Sequence, residues 1–224
     1  MKRVITGTIA VGGLLLTGCA TTSSVNQSLA AQSKTTEAYY IVDLKTDLTD
    51  DVLFDAIERG SKRNTNGVDI ARPLVMGEAP ATPGRFEIVN PLEGTGMERF
   101  ARMGGAQAMQ KMKAASCDGA KLVAVAERET GTQDMKMYTC AYPYTDGYSL
   151  QIYTNSTARR SGGMKGLIEK GVMGAIGNEE EWAQRAVSDI VSAVSEAGPV
   201  EVTLTESSTA LPMFGADGKL AATG

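Results

Sequence analysis

Histidine is absent from all 224 residues, and that one absence removes both the commonest general base and the commonest metal ligand. Without it, nucleophilic catalysis would need a Ser-Lys dyad or an unusual carboxylate arrangement, and the chain contains neither Ser-x-x-Lys nor Gly-x-Ser-x-Gly. A basic surface is missing too. The formal charge is −4, and loss of Lys2 and Arg3 with a leader would take it to −6, so nucleic-acid binding is disfavoured. Tryptophan occurs once and cysteine three times, at positions 19, 117 and 140. No Cys-x-x-Cys is present, which argues against a redox-active pair. No apolar run is long enough for a confident permanent membrane span, since the longest, Val4 to Leu16, is interrupted by Gly and Thr.

What is present begins with Lys2-Arg3, that apolar run, and Leu16-Thr17-Gly18-Cys19. Two cations followed by a short apolar core have the form of a secretion signal. The Leu-Thr-Gly-Cys run resembles the lipobox of bacterial lipoproteins, in which the leader is cut before the cysteine and the cysteine carries acyl chains such as palmitate. The resemblance implies a leader over 1–18, a lipidated Cys19 and attachment to a membrane through that lipid. Several chains at roughly 0.8 kcal/mol per buried methylene anchor stably where one would be marginal. Ala20 rather than Asp follows the cysteine, which in that family implies the outer membrane, with the domain facing the periplasm. In such an oxidising space Cys117 and Cys140 are expected to pair as a structural disulfide.

Residues 19–37 are rich in Ser, Thr, Ala and Gln, too poor in large apolar groups to fold, and are expected to form a tether reaching roughly 25 Å. A single domain is expected over 38–205, followed by a loose tail over 206–224. Within the domain, residues 38–44 alternate β-branched and aromatic side chains as a strand does, and Thr49-Asp50-Asp51 opens a helix with Val52, Leu53, Ala56, Ile57 and Gly60 on one face. Residues 61–84 carry three prolines and read as loop, with Leu74-Val75-Met76 as a short strand, before a strand at 85–89. Thr95 and Glu98 have capping-box spacing, predicting a helix from there to about Ser116.

Strands are predicted over 120–128 and 135–144, with a second hairpin at Asp146-Gly147. A two-residue loop there puts Ala141, Pro143, Leu150 and Ile152 on one face and Tyr138, Cys140, Tyr142, Tyr144 and Tyr153 on the other. A glycine-rich stretch at 162–177 leads to a helix from Asn178 to about Ala197, striped by Trp182, Ala186, Ile190 and Val194, and then a strand over 200–205. The expected architecture is α+β, a mostly antiparallel sheet with helices packed on one face.

Several groupings invite chemistry. Gly94-Thr95-Gly96 lacks the third glycine and the lysine of a phosphate loop, so helix capping is expected. Asp43, Asp47, Asp50 and Asp51 crowd one loop without calcium-loop spacing and read as helix-end acids. Eleven methionines suggest Cu(I), notably Met109, Met112, Met135 and Met137, but they are scattered and read as core. No metal or other cofactor is expected. Tyr138, Tyr142, Tyr144, Tyr148 and Tyr153 either line a sheet face under a covering element or form a recognition surface. Gly166 and Gly171 mark the glycine-rich stretch, which reads as a flap, a packed helix or a membrane contact.

Residues 95–144, a helix rich in Ala and long side chains, then Gly119-Ala120-Lys121-Leu122-Val123 and Tyr138-Thr139-Cys140, resemble small bacterial envelope lipoprotein domains of the RcsF and YbjQ-like type. The resemblance implies a periplasmic interaction or sensing module and carries over no catalytic residue. The expectation is therefore a non-enzymatic module that binds an envelope protein, with Tyr138, Tyr142, Tyr144, Tyr148, Gly166 and Gly171 as contacts. A carrier or chaperone for a small apolar or lipid ligand is the alternative, and it would need an apolar cavity.

Overall fold

A computed structural model describes residues 32–103, 112–131, 133–160 and 179–221. Cys19, Gly166 and Gly171 lie outside the described residues. The elements run β1 (Gln32–Lys45), α1 (Asp50–Lys62), β2 (Gly67–Ala71), β3 (Glu87–Val89), α2 (Glu98–Met103), β4 (Ala114–Ser116), β5 (Leu122–Glu129), β6 (Gln133–Tyr144), β7 (Gly147–Arg160), α3 (Glu179–Ala197) and β8 (Glu201–Ser207). Six strands form one antiparallel sheet in the order β2-β5-β6-β7-β1-β8, and β3 pairs with β4 in a separate two-stranded ladder. Helices α1 and α3 cover one face of the large sheet, which makes the protein the α+β domain expected.

The period-two pattern explains which face the helices take. Even-numbered Tyr40, Val42 and Leu44 of β1 and Leu150 and Ile152 of β7 bury together with Leu122, Met135, Met137 and Ala141. The helices contribute Leu53, Phe54 and Ile57 from α1, and Trp182, Val187, Ile190 and Val194 from α3. Val52 was expected on that face but is 42% exposed, because the buried stripe turns instead through Phe54. Met135 and Met137 are core residues as expected, but Met112 is 38% exposed and does not pack there, and Met109 lies outside the described residues.

The two helices approach closely at Gly60, where a Cβ would stand 2.4 Å from the Ile190 Cα. Trp182 Nε1 donates to the Asn64 carbonyl at 3.0 Å, tying the start of α3 to the end of α1. The β6–β7 hairpin closes with Tyr144 opposite Gly147, so Thr145 and Asp146 form the loop. At Gly147 φ is +145°, and an added Cβ would meet the Leu44 carbonyl oxygen at 2.1 Å, so only glycine fits.

Four sequence expectations need correction. Residues 32–37 are not tether: they extend β1 and pair with β7, Gln32 opposite Arg160 and Glu37 opposite Asn155. Their composition is poor in apolar groups, but the backbone bonds come from a neighbour 120 or so residues away, which composition does not register.

The segment after β8 is not loose either. Leu211 and Phe214 bury in the helix-side core, and the Leu204 amide donates to the Gly218 carbonyl at 2.7 Å, covering the outer edge of β8. The helix expected to reach Ser116 is only six residues long where described, and residues 114–116 are β4. Because α2 starts at Glu98, the capping box is displaced: Thr95 Oγ1 donates to the Leu92 carbonyl at 2.7 Å, while Glu98 Oε2 accepts from the Gly94 amide at 2.9 Å. Finally, the strand between residues 61 and 84 is β2, not Leu74–Met76, whose Leu74 and Met76 are 88% and 86% exposed.

Candidate interaction face

The face of the sheet opposite the helices carries the odd-numbered residues of β1 and β7 and the even-numbered residues of β6. Register places Asp69, Val125, Tyr138, Tyr153 and Tyr39 in one row across five strands. Above it run Ala71, Val123, Cys140, Gln151 and Ile41, and below it Gly67, Glu127, Lys136, Asn155 and Glu37. The expected division of the β6–β7 hairpin therefore holds, with Ala141, Leu150 and Ile152 toward the helices and Tyr138, Cys140, Tyr142 and Tyr153 away from them.

Half of this face is sealed. Phe86, carried by the segment leading into β3, packs on Tyr153 with ring centroids 6.2 Å apart and on Tyr39 at 6.4 Å. Buried Gln151 clamps the segment: its Oε1 accepts from the Phe86 amide at 3.0 Å, and its Nε2 donates to the Gly84 carbonyl at 2.8 Å and the Ser149 hydroxyl at 3.1 Å. Arg85 grips Glu206 of β8 through two bonds of 2.9 Å, and Tyr39 donates to the same carboxylate at 2.8 Å. Cys117, just after β4, is bonded to Cys140 of β6 with Cα atoms 5.6 Å apart, as the sequence predicted. On the same side Glu37 accepts from Tyr153 at 3.0 Å and pairs with Lys113 at 2.9 Å. We call this cover, residues 83–89 and 113–117, the strap.

Electrostatics follow the packing. Burial, then repulsion from Asp118 and Glu87, pushes the Tyr142 phenol up to about 12. Tyr153 is raised by burial and by Glu37, and Tyr138 is raised chiefly by burial. The Arg85 hydrogen bond, reinforced by Tyr39, holds Glu206 below the usual carboxylate range.

Of the other tyrosines named from the sequence, Tyr148 does not share this surface, and Tyr144 lies on it at the hairpin end. Tyr148 points to the helices, edge-on to Phe54 at 5.6 Å, and donates to Asp50. Tyr144 donates to Asp43 at 2.6 Å beside the hairpin loop. Tyr142 and Tyr148 are buried, so direct contact of either ring with a partner is ruled out in this conformation; Tyr138 and Tyr144 are half-buried. The acids of the strand-to-helix loop are used one at a time: Asp50 bonds Lys121 at 3.0 Å, and Asp51 stands 3.6 Å from Arg72. Burial raises the Asp50 pKa, but Tyr148 and Lys121 outweigh it and hold the carboxyl below its ordinary value. Among the described residues no group of His, Cys, Asp and Glu is arranged to hold a metal ion.

The β2–β5–β6 half is open. Tyr138 stacks on Tyr153 at 6.0 Å yet stays half-buried, beside half-buried Val123 and Val125 and exposed Asp69 and Ala71. Glu127 and Lys136 pair at 2.6 Å below it. A cleft of about 280 Å³ continues downward, lined by Glu127, Glu129, Asp134, Lys136, Asn155 and Thr157. Arg128 and Met135 complete the lining, and although most of these residues are charged or polar, most of the cleft's surface is apolar.

Asp69 and β2 escaped the sequence reading because Gly67-Val68-Asp69-Ile70-Ala71 is short and lies amid loop signals. Its alternation was the available sign, Val68 and Ile70 being half-buried between exposed neighbours.

Fold and face together define a single α+β sheet domain, helix-covered on one side and closed on half of the other by a disulfide-bonded strap. No protein-family model matches this chain, no curated protein matches it, and no solved structure matches it.

Proposed function

We propose that this protein is a lipid-anchored lipoprotein of the bacterial outer membrane whose α+β domain faces the periplasm and binds an envelope protein, without catalysis. The observation that carries the reading is the N-terminal order of Lys2-Arg3, an apolar run and Leu16-Thr17-Gly18-Cys19. The Cys117–Cys140 disulfide suits the oxidising space beyond the inner membrane. From Cys19 to the start of β1 at Gln32 the chain spans at most about 45 Å, which keeps the domain within reach of the bilayer surface. The open half of the helix-free face, centred on Tyr138, supplies the apolar and aromatic surface on which a protein partner docks.

Growth with labelled palmitate tests the anchor. The wild-type protein takes up label and sediments with membranes, and Cys19→Ala loses both properties. An unlabelled wild-type protein with an intact amino terminus overturns the reading. A photo-crosslinking residue at position 138 is expected to capture an envelope protein, whereas one at buried position 142 captures none.

A further inference from the structure

Strand β2 is the terminal strand of the sheet, and no strand pairs with its outer side among the described residues. The opposite terminal strand, β8, is treated differently: the Leu204 amide bonds Gly218, and Thr203 faces Lys219, so a loop of the same chain covers that edge. An uncovered row of backbone N–H and C=O groups is a template for one more strand.

The surroundings of β2 select what that strand can be. Asp69 is the only charged residue in β2, it lies on the helix-free face in the row of Val125 and Tyr138, and among the described residues it has no ion pair or hydrogen-bond partner. The nearest cation along the chain, Arg72, is already saturated by Asp55 at 2.6 Å, Asp51 at 3.6 Å and Glu58 at 3.7 Å. Beyond Arg72 the chain exposes Leu74 and Met76 almost fully. A second copy of this chain is a poor occupant, because antiparallel self-pairing along the whole of β2 sets Asp69 opposite Asp69, and like charges directly opposite destabilise. The same carboxylate that rejects a copy attracts a cation, so one side chain serves both selectivities.

We propose that the β2 edge binds an extended segment of a partner protein by strand addition, the segment carrying Lys or Arg opposite Asp69 and, two residues to either side on the same face, apolar residues opposite Gly67 and Ala71. The proposal rests on the interaction-module reading and names the kind of partner that module takes. Bound, the segment becomes a seventh strand whose backbone bonds supply affinity and whose cation supplies register. Leu74 and Met76 extend the apolar contact past the end of β2.

The test uses the full-length protein in detergent and a fluorescein-labelled peptide of alternating Val and Thr with one central Lys, against the same peptide with Glu in place of Lys. Anisotropy is expected to show preference for the Lys peptide. Asp69→Lys then weakens the Lys peptide and strengthens the Glu peptide, each about five-fold, as reversal of one cross-strand charge pair should. Hydrogen exchange at residues 67–71 slows on adding the Lys peptide and is unchanged by protein concentration alone. Three results overturn the proposal: no binding of either peptide, binding indifferent to Asp69→Lys, or amides of residues 67–71 protected by raising protein concentration without peptide, which identifies a second copy. If position 138 captures a protein while neither peptide binds, the edge proposal fails and the interaction-module reading stands.

Discussion

Tyr153 and Tyr138 are cross-strand neighbours, stacked ring on ring, yet Tyr153 is buried and Tyr138 is not. The difference is the strap: Phe86 covers Tyr153 and Tyr39, and its hydrogen-bonded attachment through Gln151 and Arg85 ends before it reaches β5 and β2. One sheet face thus holds a closed half, stiffened by a disulfide and a carboxylate shared by arginine and tyrosine, and an open half made of the same residue types. Residue type alone does not separate packing surface from contact surface; what lies above the side chain does.

The largest effect that would sharpen this contrast is removal of the disulfide. By the loop-closure estimate for 23 positions, Cys117→Ala with Cys140→Ala is expected to cost about 3.5 kcal/mol in denaturant unfolding. Proteolysis of that variant should begin within residues 83–89 and 113–117, and a cut pattern concentrated in β2 instead would break the comparison.

Next comes Gln151→Leu, which leaves the buried Phe86 amide without its acceptor and is expected to destabilise by about 1–3 kcal/mol. Fluorescence quenching should report greater exposure of the strap-side tyrosines in that variant.

Alkali provides a smaller and graded test. Burial disfavours the phenolates, so the folded-state pKa of Tyr142, about 12, exceeds its ordinary value of 10.0. A pKa raised by folding means that the stability from the neutral phenol is complete below about pH 10 and is lost as pH rises through about 12. Near-ultraviolet absorbance should therefore show Tyr138 ionising before Tyr142 and Tyr153, and a single unresolved titration of all three would contradict the two-half description.

The smallest effect on stability is expected on the open half. Asp69→Asn should change unfolding free energy by less than about 0.5 kcal/mol, because the carboxylate is exposed and has no partner to lose among the described residues.

Much of the fold was legible. The strand over 38–44, the helix from Thr49, the hairpin faces, the striped helix ending before Gly198-Pro199 and the disulfide all rest on local periodicity, caps or cysteine count. The candidate face was legible only in part. Alternation put Tyr138, Tyr142 and Tyr153 on one side of the hairpin and Tyr148 on the other with Leu150 and Ile152, but it could not tell that Tyr142 is sealed. The polar start of β1 and the segment after β8 were misread for one reason: both are ordered by contacts with residues far away in sequence, Arg160 with Gln32 and Leu204 with Gly218.

By itself the sequence determined the α+β class and the helix-facing stripes, which follow from spacing along one chain, and the pairing of Cys117 with Cys140, which follows from their being the two cysteines left after Cys19 in the oxidising space that the lipobox resemblance implies. Only the tertiary structure decided which tyrosines are covered and that, among the described residues, β8 has a guarded edge, β2 a bare one, and Asp69 stands unpaired on the bare side. Those outcomes depend on which distant segment arrives over a given side chain, and no local pattern of residues encodes that arrival.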